Sequence, residues 1–166
     1  MANFELFKRI FGSNQDRREK PRLNARQGTV VLIVDDSPTI VAMLRKFLQQ
    51  SGYQTLEAGD AEKGIEVARA EKPDLIFLDI VLPGMNGFAA LRTLRKDPVT
   101  QQIPIVMISG NEQATEQFYA QRIGADDFMK KPFSRSEVFA RIEPLLDANL
   151  VPKRHATPVP SPAPRA

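Results

Sequence analysis

The chain has 166 residues, 42% of them apolar, and no cysteine, which is enough for one packed domain with tails and excludes disulfide frameworks, thiolate metal sites and thiol nucleophiles. No uninterrupted apolar run approaches the roughly 20 residues of a membrane-spanning helix, and the N-terminus lacks the apolar core of a secretory signal, so a soluble, cytoplasmic protein is expected. The net charge of +3 is unevenly placed: residues 1–28 hold 7 Lys/Arg against 3 Asp/Glu and residues 149–166 hold 3 against none, leaving an acidic middle of 13 against 17 that does not suit a phosphate backbone.

In chain order, Phe4, Phe7, Ile10 and Phe11 stand at helical spacing before Gly12 and a polar run to Gln27, which predicts a short amphipathic helix and linker over residues 1–28. Val30 to Val34 is a continuous apolar run ending at Asp35-Asp36, as in a strand buried on both faces. A helix follows, with Ser37 or Asp36 as cap, Pro38 in its first turn, and a stripe of Ile40, Met43, Leu44, Phe47 and Leu48 before Gly52. The alternation repeats, with strands expected at 53–57, 75–78, 103–108 and 126–129 and helices at 61–70, 88–96, 112–122 and 134–147, the last bent by Pro144. Five strands alternating with five helices over residues 29–148 argue for one parallel sheet covered on both faces. After Leu150, five prolines predict an extended, disordered tail within residues 149–166.

In such a sheet ligands bind beyond the carboxyl ends of the strands. The unusual polar residues stand there: Asp35 and Asp36 after strand one, Asp79 after strand three, Ser109 after strand four and Lys131 after strand five. Three neighbouring carboxylates repel one another unless a cation joins them, and oxygen ligands without His or Cys favour magnesium. An aspartate can attack a phosphoryl group when the charge on the transferred oxygens is neutralised, here by the cation, Lys131, Ser109 and loop amides. Taken singly, each residue has a plainer role: a helix cap for Asp35-Asp36, turn chemistry for Asp79 and Ser109, and a solvated charge for Lys131.

The segments VLIVDDSPTI, DIVLPGMNGF, PIVMISG and GADDFMKKPF, in this order and spacing, resemble the receiver domains of bacterial two-component response regulators over about Thr29 to Ala148. The resemblance implies a flavodoxin-like fold with strand order 2-1-3-4-5, the order known for the chemotaxis receivers. It also implies that Asp79 is the phosphoacceptor, that Asp36, Asp35 (through water) and the Val81 carbonyl help Asp79 hold Mg2+, and that Ser109 and Lys131 contact the phosphate. Lys131 is chosen over Lys130 because it precedes Pro132, a bond that is often cis in the family. Phe128 stands at the switch-aromatic position, where a tyrosine is common, and Val81 stands where several receivers carry an amide or acid.

The resemblance further implies a histidine kinase as phosphodonor and a protein target on the face of helix 4, strand 5 and helix 5. With 18 residues after Ala148, output is expected through protein contact, as in stand-alone receivers of chemotaxis and type IV pilus motility. At most the chain catalyses its own phosphotransfer and dephosphorylation. The apolar stripe of residues 4–11 could dock on a partner groove, on an anionic membrane surface or on its own domain. Rival readings are a phosphorylation-independent receiver-like scaffold and a magnesium phosphohydrolase. The latter needs a second Asp two residues after the nucleophile, where this chain has Val81.

Overall fold

The computed structural model describes residues 25–110 and 114–155; the expected N-terminal helix lies outside them. The elements are β1 (Val30–Val34), α1 (Pro38–Gln50), β2 (Gln54–Ala58), α2 (Ala61–Glu71), β3 (Leu75–Asp79), α3 (Gly87–Lys96), β4 (Ile105–Ser109), α4 (Ala114–Arg122), β5 (Asp127–Lys130) and α5 (Arg135–Ile142), followed by a 3-10 turn over Glu143–Leu145. All strand pairs are parallel, and the sheet runs β2-β1-β3-β4-β5, the order that the family resemblance implies.

The period-two geometry of a strand sends alternate residues to opposite faces, and with helices on both faces every position of the central strands is apolar except the last of β3 and of β4, Asp79 and Ser109. Leu32, Val34, Ile76, Leu78, Ile105, Met107 and Phe128 pack toward α2, α3 and α4. Val31, Ile33, Leu75, Phe77, Val106, Ile108 and Met129 pack toward α1 and α5. Each fully buried Leu, Ile or Phe of this kind contributes roughly 1.5–3 kcal/mol of transfer free energy. These two layers hold β1, β3 and β4 in fixed register and set the spacing of the groups at their carboxyl ends.

Three expected boundaries move for local reasons. The fourth strand begins at Ile105 and not at 103, because Pro104 has no N–H for the ladder, although its carbonyl accepts from Ile76 N. The last helix stops at Ile142 and tightens into the 3-10 turn at Pro144, so its expected reach to 147 is not seen. Beyond residue 148, where the sequence suggests an extended tail, the chain folds back: Leu146 bridges Pro152 antiparallel, Lys153 N donates to Leu145 O, and Arg154 reaches Asp126.

Candidate functional site

The carboxyl rim of the sheet is assembled by turns whose backbone groups are satisfied by short polar side chains. Ser37 caps α1 by accepting from Ile40 N. Asp35 Oδ1 accepts from Ser37 N at 2.8 Å, which leaves Asp36 exposed and outside the cap. Asn86 caps α3 by accepting from Ala89 N. Gly87 lets α3 start directly against β3: a Cβ there would stand 2.1 Å from the Asp79 carbonyl oxygen and 2.8 Å from Ile80 Cα, so any side chain would displace the loop that follows Asp79.

Asp35, Asp36 and Asp79 each offer a carboxylate oxygen, and these oxygens lie within 4.8 Å of one another. Asp35 and Asp79 are buried, at 1% and 3% exposure. Lys131 Nζ stands 2.8 Å from Asp35 Oδ2 and 3.2 Å from Asp79 Oδ2. One ammonium therefore pairs with two of the three converging carboxylates. Its contact with Asp79 is a hydrogen bond, whereas Asp35 Oδ2 is buried without a hydrogen-bond partner despite the short ion pair. The Lys131–Pro132 peptide is cis, and Lys130 ends β5 exposed.

Burial first, and then the neighbouring Asp35 charge, push the Asp79 carboxyl up to about 6 against the opposing pull of Lys131 and a hydrogen bond with the Val81 backbone. Burial opposes the Lys131 charge, but the close carboxylates of Asp35 and Asp79 outweigh it and drive the lysine above its usual value. These shifts describe a site short of positive charge. A divalent cation fits it: the donors are all oxygens, three converge, and one is buried with no hydrogen bond.

Ser109 is fully buried at the end of β4, one residue beyond the Asp79–Ile108 register pair. Its hydroxyl donates to Glu116 Oε2 at 2.7 Å. Phe128, at 3% exposure, packs in the core layer below α4. The Val81 side chain is 70% exposed, so this residue can serve the site by its backbone alone. The residues singled out in the sequence therefore gather on one rim, with Phe128 beneath it. Glu116 was not among them, since an acidic residue in a helix's first turn is routinely explained by the helix dipole. A second cluster was also missed. It surrounds Asp126 at the opposite end of the sheet, where Asp126 accepts from Arg95 Nη2 and Ile105 N at 2.8 Å and from Arg154 Nε at 3.0 Å.

Residues 31–143 match the family model described as "Response regulator receiver domain". The chain is 40% identical over 116 residues to protein PilH of Pseudomonas aeruginosa, a match covering 70% of this chain and 96% of PilH. It is 39% identical over 119 residues to the phosphate regulon transcriptional regulatory protein PhoB of the same species, covering 72% of this chain and 52% of PhoB. The chain thus spans about half the length of that transcriptional regulatory relative and nearly all of PilH.

Among solved structures, chemotaxis protein CheY4 of Vibrio cholerae superposes with a TM-score of 0.68 at 27% identity, covering 71% of this chain and 98% of that one. The receiver domain of the Pseudomonas aeruginosa sensor histidine kinase PA1611 superposes with a TM-score of 0.63 at 26% identity, covering 68% and 93%. That structure is described with a magnesium ion coordinated in its active site cleft.

Proposed function

Because the chain belongs to the response regulator receiver domain family, we propose that it accepts a phosphoryl group on Asp79 from a histidine kinase and signals by presenting an altered protein-binding face. The carrying observation is the ratio of charges on the rim: one lysine for three converging carboxylates, two of them buried. A merely structural cluster would be neutralised within itself, whereas this one is set up for further positive charge.

In this reading Asp35, Asp36, Asp79 and the Val81 carbonyl hold Mg2+, which when bound neutralises the carboxylates and the transferred phosphoryl oxygens. An Asp79 carboxylate oxygen attacks phosphorus as the bond from phosphorus to the donor imidazole nitrogen breaks, giving an aspartyl phosphate. Lys131 moves from its carboxylate partners toward a phosphoryl oxygen, and the Ser109 hydroxyl donates to another. Loop amides after β3, ordered by the close packing of Gly87, complete the donors.

The added charge acts by biasing a two-state element, here the side of the domain formed by α4, β5 and α5. Phe118 on α4 is 65% exposed there. Beneath the helix, Phe128 is the ring whose packing would follow any shift of Ser109. The likeness to PilH along nearly its whole length favours a pathway of pilus-based motility, with output by protein contact. No helix among the described residues is long and apolar enough to cross a membrane; contact of residues 4–11 with a membrane surface is a separate proposal, to be tested with vesicles.

Incubating the full chain with a small acyl-phosphate donor and Mg2+, then separating phosphorylated from unmodified protein on a phosphate-affinity gel, tests the assignment. The wild type is expected to shift and Asp79→Asn to remain unmodified. Equal modification of both would overturn it.

A further inference from the structure

The described side chains of α4 beyond its first turn tie it to the domain chiefly through Tyr119, whose hydroxyl accepts from Arg92 Nη2 and whose ring lies under that guanidinium. Ala120 is buried, Phe118 is 65% exposed, and Tyr119 meets Phe88 edge-on, with ring centroids 4.9 Å apart. The first turn of the helix has a different kind of tie. Glu116, within the first turn of α4, accepts from the hydroxyl of fully buried Ser109 at 2.7 Å. A hydroxyl has a single proton to donate. That proton is also the one a phosphoryl group on Asp79 would require, so two anions compete for the same donor.

Resting on the assignment of Asp79 and Ser109 above, we propose that Glu116 is a positioning residue: an internal carboxylate that holds the Ser109 hydroxyl, and with it the first turn of α4, until a phosphoryl oxygen displaces it. The geometry couples the two ends of the signal directly. When Ser109 turns to the phosphoryl group, the Glu116 carboxylate loses its donor and the start of α4 is released toward solvent; when the phosphoryl group leaves, the bond re-forms and the helix is drawn back. The free energy of the Ser109–Glu116 bond is therefore subtracted from phosphoryl binding, and a hydrogen bond to a charged group is strong enough to matter at about tenfold in affinity.

Beryllofluoride with Mg2+, an analogue of the phosphoryl group, supplies the probe, and binding is measured on the full chain. Glu116→Ala is expected to bind it about tenfold more tightly than the wild type, with affinity for Mg2+ alone little changed and the melting temperature of the unliganded protein lowered by about a few degrees, since the same bond is lost from the free state. Glu116→Gln, which keeps an acceptor but loses the charge, should fall between them. The gain from Glu116→Ala should vanish in a Ser109→Ala background, because no hydroxyl remains to be competed for. Hydrogen exchange adds a second readout: amides of residues 114–117 should exchange faster in wild type once beryllofluoride binds, and equally fast in Glu116→Ala without it.

Unchanged or weaker beryllofluoride binding by Glu116→Ala, or an equal gain in the Ser109→Ala background, would overturn the proposal. These results differ from failure of the site assignment itself, in which the wild type and Asp79→Asn would not differ in binding the analogue.

Discussion

Two aspartate clusters stand at opposite ends of the same sheet, and their charge ratios are inverted. At the amino ends of β4 and β5, the nearly buried Asp126 carboxylate is met by two guanidiniums and a backbone amide, while Arg95 also donates to the carbonyls of Gly124, Gln101 and Ile103. At the carboxyl ends, three carboxylates converge with Lys131 as their lysine, paired to two of them. The first cluster is satisfied within the chain and leaves nothing for a ligand to add. The second is complete only with something from outside. Buried polar groups that are fully partnered hold structure, and those left short of partners point to chemistry.

The largest expected effect separates the two ends by function. Asp79→Asn should abolish phosphorylation by a small phosphodonor, a loss of at least about a hundredfold in rate, while Asp126→Asn should leave that rate within about twofold of wild type. If both substitutions abolish phosphorylation, the division between ends fails.

Stability should divide the opposite way. Asp126→Ala leaves Arg95, 10% exposed as a side chain, without its counter-charge and is expected to lower unfolding free energy by about 3 kcal/mol in denaturant titration. Asp79→Ala should cost much less, since it relieves repulsion with Asp35. A loss at Asp79 matching that at Asp126 would contradict the comparison.

A pH series in chelator sharpens it. The folded-state value of Asp79 is raised from 3.8 to about 6, so between these values the folded protein binds more protons than the unfolded one. Its stability contribution is present below about 4 and is lost as pH rises through 6. Thermal melts should therefore show a fall in stability over that window that is absent in Asp79→Asn and is offset by added Mg2+. The smallest effect is expected for the C-terminal segment. Arg154→Ala should cost about 1 kcal/mol, because Asp126 keeps Arg95 and the Ile105 amide, with phosphorylation unaffected.

Most of the fold was legible because a parallel sheet covered on both faces needs uninterrupted apolar strands, and Val30–Val34, Leu75–Leu78 and Ile105–Ile108 are such runs, each buried throughout or nearly so. The rim was legible for the same reason: polar residues that end apolar strands of a parallel sheet converge in space, so Asp35, Asp79 and Ser109 could be placed together from their spacing. Strand order was not in the periodicity, since every order buries the same faces; it came from the resemblance.

What escaped the sequence are contacts between residues with ordinary local explanations. Glu116 reads as an acidic first-turn residue, and its bond to Ser109 depends on how α4 lies over β4. Arg154 sits in a proline-rich stretch whose composition favours extension, yet Pro152 is buried against Leu146 and Arg154 pairs with Asp126. No local pattern connects positions 28 residues apart.

The central claim is that Asp79 itself carries the phosphoryl group. After reaction with an acyl-phosphate donor and Mg2+, borohydride reduction converts an aspartyl phosphate into homoserine, which peptide mass spectrometry can locate. The account predicts homoserine at position 79, with Asp35, Asp36 and Asp126 unchanged. Reduction at another residue, or phosphate found on Ser109 with Asp79 intact, would contradict it.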